Sequence, residues 1–395
     1  MGKHIPITLG NIEPLAYKSP IKLGKIALVC EGGGQRGIFT AGVLDEFLRL
    51  GFNPFELFLG TSAGAQNLSA YICGQKGYAR KVINRYTTDP AFFNPLRFVR
   101  GGHLIDLDWY IDTISEQLPL NISAAMRQFD AGREFYMCAC RADNFEASYL
   151  HPDEKNWMDI IKASSAIPGF YRNGVTLGDI VYQDGGICDA IPVQEAYRRG
   201  AEAIVVIRTV PSQLYYTRQW FKRMERWLEA SSLQKMVKML NLHARSYRKT
   251  QKFIENPPGD VQIFEIYPPA PLAAMALGSR LSSLNQDYHL GRRCGRYFLA
   301  TIGHTFVGGK FGDAERKSYG VCRPGLNADS VNHHCFRRNH FLNHGNHHPI
   351  VESIVGSIVG SIAESSTLDV MENDVMENGQ TTDTIMMNNL DNPDN

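Results

Sequence analysis

The chain has 395 residues, 44% hydrophobic and 21% charged, with a formal net charge of +1. These proportions exclude a wholly disordered or collagen-like chain and allow one large core or two. No stretch reaches the roughly 20 apolar residues of a spanning helix, so any membrane contact is expected at the surface.

The charge is unevenly placed. Residues 1–338 carry 41 basic against 31 acidic residues, a net of +10, and nine acids with no Lys or Arg follow Arg338. A basic body suits an anionic partner, such as a lipid surface or nucleic acid. The eight cysteines (Cys30, Cys73, Cys138, Cys140, Cys188, Cys294, Cys322 and Cys335) are scattered. They read as buried thiols of a reducing compartment. Cys138-Ala139-Cys140 lacks the spacing of a C-x-x-C pair. The N-terminus has no apolar signal region, so a cytoplasmic location is expected, with any contact at the inner membrane face peripheral.

Residues 1–24 are punctuated by Pro and Gly and read as an arm. Lys25 to Cys30 is a short apolar run ending at glycines, as expected of a buried strand. Val43, Leu44, Phe47 and Leu48 share a helical face. Phe55 to Leu59 predicts a second strand, and Gln66 to Cys73 a second helix. Strand–helix–strand–helix is the opening of a parallel α/β sheet. Phe135 to Cys140, Ile180 to Gln183 and Ala203 to Ile207 predict further strands. A helix is expected over Pro192 to Arg199, ended by Gly200-Ala201. The sheet domain is expected over 25–210. Residues 211–305 read as a helical basic extension. In it, Lys222, Arg223, Arg226, Lys235, Lys238, Arg245, Arg248, Lys249 and Lys252 interleave with Trp220, Phe221, Trp227, Met236 and Met239. That pattern fits either a solvated basic face or an interfacial helix. Residues 306–395 are low in complexity, with crowded histidines and tandem repeats such as Asp369 to Asn373 and Asp374 to Asn378, and are expected to be disordered. The abrupt change near residue 305 reads as a replaced or frame-altered C-terminus.

Three pieces carry chemistry. Gly60-Thr61-Ser62-Ala63-Gly64 has the G-x-S-x-G form of a strand-to-helix turn that lifts a serine hydroxyl out of a sheet. Gly32-Gly33-Gly34-Gln35-Arg36-Gly37 offers backbone N–H groups, with Gly33 and Gly34 as donors to an oxyanion. Arg36 would steady that loop or a lipid phosphate. Asp184-Gly185-Gly186 sets a carboxylate on a flexible turn, and a buried aspartate with a raised pKa can act as general base. The glycine run also satisfies the dinucleotide pattern G-x-G-x-x-G. That reading wants an acid at the end of the second strand, where the serine turn stands instead. His243 and His289 remain available for a Ser-Asp-His triad, although His289 sits in a helical pattern.

Taken in order, these pieces resemble the patatin-like phospholipase family, in particular its bacterial-type members. Ala163-Ser164-Ser165-Ala166-Ile167-Pro168-Gly169-Phe170 resembles the family's stretch between serine and aspartate. Asp184 to Val193 matches its D-G-G-x-x-x-x-x-P-V run. The resemblance covers roughly residues 25–207. It implies a three-layer α/β/α fold with a mainly parallel sheet. It further implies a Ser62–Asp184 dyad without a catalytic histidine, an oxyanion hole at Gly33 and Gly34, and lipid ester substrates. No metal or cofactor is implied, and no nucleic-acid partner is expected. Glu31 departs from the Asp of many relatives, with little consequence expected. A catalytically silent, membrane-binding member of the same fold is the alternative, and a dinucleotide-binding oxidoreductase a more distant one.

Overall fold

The computed structural model describes residues 2–9, 24–212 and 230–306. The low-complexity tail after Phe306 and the aromatic-rich stretch Trp220 to Trp227 lie outside the described residues.

The strands are β1 (Lys3–Ile7), β2 (Ile26–Cys30), β3 (Leu57–Thr61), β4 (Glu134–Arg141), β5 (Ala147–Leu150), β6 (Val175–Leu177), β7 (Ile180–Asp184), β8 (Ala203–Ile207) and β9 (Gln262–Ile266). They form one sheet in the order β1-β9-β8-β2-β3-β4-β7-β6, with β5 paired to β4. The pairs from β1 through β4 are parallel, whereas β5, β6 and β7 run antiparallel to their neighbours. The fold is therefore mixed α/β with a mainly parallel central sheet, as the sequence predicts. The helices are α1 (Gly37–Arg49), α2 (Ala63–Ile72), α3 (Tyr78–Arg85), α4 (Pro95–Val99), α5 (Leu107–Gln117), α6 (Ile122–Asp130), α7 (Trp157–Ser165), α8 (Val193–Arg198), α9 (Ala230–Glu255) and α10 (Leu281–Thr301).

The central strands bury both faces, so they are apolar throughout. Alternation still decides which helices each residue meets. Leu57, Leu59, Val206 and Ile263 pack with Val193 and Ala196 of α8 and Tyr247 and Ile254 of α9. Phe58 and Phe264 turn the other way. They join a run of rings through Tyr71 of α2, Phe47 of α1 and Phe298 of α10.

Two expectations need correction. The sheet does not close near residue 210: β9, inside the expected helical extension, pairs in parallel with β8. The expected N-terminal arm contributes the edge strand β1, paired with β9. Pro6 obscured this strand, yet an edge tolerates a residue that cannot donate to a ladder. The cause of the first error is a buried charge in a short strand. Glu265 interrupts the apolar pattern of Gln262–Ile266, and its partners lie far away in sequence.

The thiols Cys30, Cys73, Cys138, Cys140 and Cys294 are free and buried, and Cys188 is free and half-buried. Among the described residues, no helix is long and apolar enough to cross a membrane.

Helices α1 and α10 approach closely. A Cβ on Gly291 would lie 2.1 Å from the Phe39 carbonyl oxygen, and one on Gly42 2.2 Å from that of Tyr288. Alanine is the better helix former by about 1 kcal/mol. Gly291→Ala is nonetheless expected to destabilise the protein, by about 1–3 kcal/mol through overpacking. Urea unfolding checks the sign, and a stabilised variant would refute the close approach.

Candidate active site

β3 runs straight into α2 with Ser62 between them. Ser62 takes φ 52° and ψ −122°, a backbone conformation rarely open to a side-chain-bearing residue. Such strain costs about 1–3 kcal/mol and is maintained by its surroundings. Here the surroundings are explicit. The Ser62 amide donates to Ser164 Oγ at 2.8 Å, and Ser164 Oγ donates to the Cys138 carbonyl at 2.6 Å. Thr61 Oγ1 donates to the Asp189 carbonyl at 2.8 Å. Gly64 allows the first turn of α2 to lie against β2, because a Cβ there would fall 2.3 Å from the Cys30 carbonyl oxygen. The positive end of α2 then faces the serine.

Asp184 ends β7. Its Oδ1 accepts from the Gly186 amide at 2.7 Å, and its own amide donates to the Ala166 carbonyl at 2.9 Å. Burial raises its pKa to about 6, against the lowering effects of the Gly186 amide and of the nearby Ser62 side chain. The structure thus brings Ser62 and Asp184 together from opposite sides of β4.

Beyond β2, Gly32 donates to the Ala190 carbonyl at 3.1 Å and Gln35 to that of Ala276 at 2.8 Å. The amides of Gly33 and Gly34 have no protein acceptor among the described residues. Gly34 has φ 56°, and a Cβ on it would lie 2.2 Å from the Ala276 carbonyl oxygen. Arg36 Nε reaches the Gly33 carbonyl at 3.4 Å, steadying the loop. Gly37 opens α1, and its carbonyl accepts from Asn67 Nδ2 at 3.0 Å.

Neither candidate histidine is a hydrogen-bond partner of Asp184. His243 Nδ1 lies 2.5 Å from the Gly186 carbonyl, where it acts as the donor, and burial lowers the pKa of its ring. His289 stands on α10, its pKa lowered by desolvation and then by Arg80, Arg292 and Arg293.

Ser62 opens onto an apolar cavity. Its walls include Val82 and Ile83 of α3, Phe92 and Ile105, and Tyr110 and Ile114 of α5. Gln66 stands in the same wall, accepting from Tyr110 at 2.6 Å and donating to Ser165 Oγ at 2.9 Å. None of these wall residues was singled out from the sequence. They are ordinary apolar residues whose shared role exists only after folding. Glu31, noted in the sequence only as a departure from Asp, is a hub. Its carboxylate accepts from Thr209 N at 2.5 Å, Tyr247 OH at 2.7 Å and Arg208 Nε at 3.3 Å. Arg208 in turn binds Glu265 and donates to Gln251 Oε1 at 3.0 Å.

Residues 28–197 match the family model described as patatin-like phospholipase, and residues 233–307 a domain of unknown function, DUF6363. An uncharacterized protein of Escherichia coli, YjjU, is 66% identical over 303 residues, 77% of this chain and 85% of that protein. The lysophospholipase NTE1 of Candida albicans is 25% identical over 185 residues, 46% of this chain and only 13% of NTE1. VipD from Legionella pneumophila aligns at 13% identity and a TM-score of 0.35, over 70% of this chain and 66% of that one. Human GIVD cytosolic phospholipase A2 aligns at 10% identity and a TM-score of 0.39, over 72% of this chain and 59% of that one. The three motifs meet at one point of a mainly parallel sheet and the family model spans all of them: the chain belongs to the patatin-like phospholipase family.

Proposed function

We propose that the protein is a serine acyl hydrolase that cleaves lipid carboxylic esters, in the manner of a phospholipase A or lysophospholipase, through an acyl-enzyme on Ser62. The observation that carries this reading is a strained serine, close beside a buried aspartate, at the edge of an apolar cavity.

Ser62 Oγ attacks the ester carbonyl while its proton passes to Asp184. The oxyanion forms against the Gly33 and Gly34 amides, since backbone donors held in place cost little reorganisation. Collapse expels the alcohol, which takes the proton from Asp184. Water then attacks the acyl-enzyme, giving its proton to Asp184. Release of the fatty acid returns that proton to Ser62 Oγ. With a pKa of about 6, Asp184 is a stronger base than an ordinary carboxylate and is still ionised at neutral pH.

Hydrolysis of a 4-nitrophenyl octanoate ester, with chelator present, tests the dyad. Ser62→Ala and Asp184→Asn are expected to lose roughly 10³-fold or more in kcat/KM. His289→Ala is expected to stay active. A folded but inactive His289→Ala would require a triad, and an active Ser62→Ala would remove the nucleophile.

The pH dependence has a definite sign. Activity needs ionised Asp184, so kcat/KM rises with pH through about 6 and levels off above it. Stability runs the other way. The raised pKa means the native state holds more protons than the unfolded chain between about pH 4 and 6, so stability falls as pH rises through that window. Asp184→Asn is expected to be more stable than wild type at pH 8, by on the order of 1–3 kcal/mol, and not at pH 4. Thermal melts at the two pH values check this, and equal shifts at both would refute it.

Peripheral contact with an anionic membrane belongs to the same proposal. Leu96 and Val99 of α4 are 57% and 70% exposed. Arg100 and Arg172 are exposed nearby, with Arg172 against the Phe98 ring at 5.3 Å. This segment lies between Phe92 and Ile105 of the cavity wall. Leu96→Ser with Val99→Ser is expected to weaken binding to phosphatidylglycerol vesicles about tenfold or more. Added salt should weaken the wild type as well, and salt-independent binding to neutral vesicles would count against the surface.

A further inference from the structure

The loop between β9 and α10 lies within the segment of unassigned function, residues 233–307. It is fixed on both sides of its tip. Upstream, the Ala274 amide donates to Asp287 Oδ2 of α10 at 2.7 Å, and this carboxylate is buried. Ser279 Oγ accepts from the Met275 amide at 2.9 Å, closing the loop on itself. The Ala276 carbonyl takes the Gln35 amide, and the Ser279 amide returns a bond to Gln35 Oε1 at 2.7 Å. Gln35 is 2% exposed, and its Nε2 donates to the Thr87 carbonyl and hydroxyl at 3.1 and 3.0 Å. The glycine-rich loop, the turn after α3 and the C-terminal loop are therefore joined through Gln35.

Between these anchors stand Leu277 and Gly278. Gly278 has φ 72° and packs beside the Phe93 ring, where an added Cβ would sit 3.4 Å away. Leu277 is the one large side chain between Ala276 and Ser279, and it lines the cavity that holds Ser62. A tip anchored on both flanks is a rigid wall rather than a swinging lid.

We propose that Leu277 is a specificity-determining wall of the acyl site, so that the C-terminal segment selects the acyl chain presented to Ser62. The inference rests on the ester-hydrolase reading above. Its substrate class is an ester with a flexible, unbranched acyl chain, the shape that an apolar cavity with a fixed wall admits. An acetyl group ends next to the reacting carbon and extends least into the cavity, so its ester is the reference against which a change of wall is read.

The test compares 4-nitrophenyl acetate and 4-nitrophenyl octanoate in the full chain. Leu277→Trp is expected to lower the octanoate-to-acetate ratio of kcat/KM roughly tenfold or more, the scale on which apolar pockets discriminate. Leu277→Ala is expected to shift preference toward a branched acyl ester by several-fold. If Leu277→Trp does not fold, as judged by its melt, Leu277→Ala and Leu277→Met carry the comparison. Ratios unchanged from wild type overturn the assignment. Equal losses on both esters overturn it too, because they report only damaged support of the glycine loop. Undiminished acetate hydrolysis by Ser62→Ala would instead sink the ester-hydrolase reading itself.

Discussion

A guanidinium without solvent holds this structure together. Arg208 follows β8 and is fully buried, and it can be charged there only because Glu31 and Glu265 surround it. Burial opposes the charge, but the two carboxylates and Tyr247 win, and the Arg208 pKa lies above its usual value. Removing one partner of such a buried set typically costs about 3–5 kcal/mol, since the remaining charge stays stranded. The set joins the end of β2, the end of β8, the middle of β9 and the face of α9. Glu265 also takes Ser212 Oγ at 2.7 Å and His4 Nε2 at 2.8 Å, which brings in β1. One buried cation thus fixes the register of strands that are distant in sequence. It does so immediately before the glycine-rich loop.

The catalytic geometry draws on that rigidity. Ser62 sits in a conformation that an isolated chain would leave. Asp184 is desolvated enough to raise its pKa. Both features weaken the fold locally and suit the proposed chemistry, a pattern expected where strain and burial serve function. Neither could persist in a soft surrounding. Ser164, Thr61 and the close approach of α2 to β2 supply the stiffness at the serine.

What was legible in the sequence follows a simple physical division. The serine turn, the glycine-rich loop and the Asp-Gly-Gly turn are local backbone demands. Only residues without a Cβ satisfy them, so the glycines announce them at fixed spacing. The strands β2, β3, β4 and β8 were legible because burial leaves apolar runs, and β7 by its β-branched start before the Asp-Gly-Gly turn. The rest depends on partners tens to hundreds of residues away. Glu31 looks like an ordinary acid until Arg208, Thr209 and Tyr247 surround it. Strand β9 looks too polar for a core until Arg208 meets Glu265. Leu277 carries no local signal at all, and Gln35 is legible only as a member of the glycine-rich run, because the significance of both is a meeting across the fold.

These long-range meetings converge on the site. The C-terminal segment touches the glycine-rich loop and the aspartate turn, each at separate points. Tyr247 of α9 holds Glu31 at the start of the glycine-rich loop, and Ala276 and Ser279 hold Gln35 inside it. His243 binds the Gly186 carbonyl within the aspartate turn, and Ser246 binds the Cys188 carbonyl just beyond it. The glycine-rich loop and the aspartate turn are therefore positioned from the same helix and loop, with Ser62 fixed independently by β3 and α2. A segment bound at four such points acts as a frame, and a catalytic unit ending near residue 210 would lack it. The histidine of α9 takes part in this frame: its Nδ1 hydrogen goes to the Gly186 carbonyl within the aspartate turn, and burial lowers the pKa of its ring.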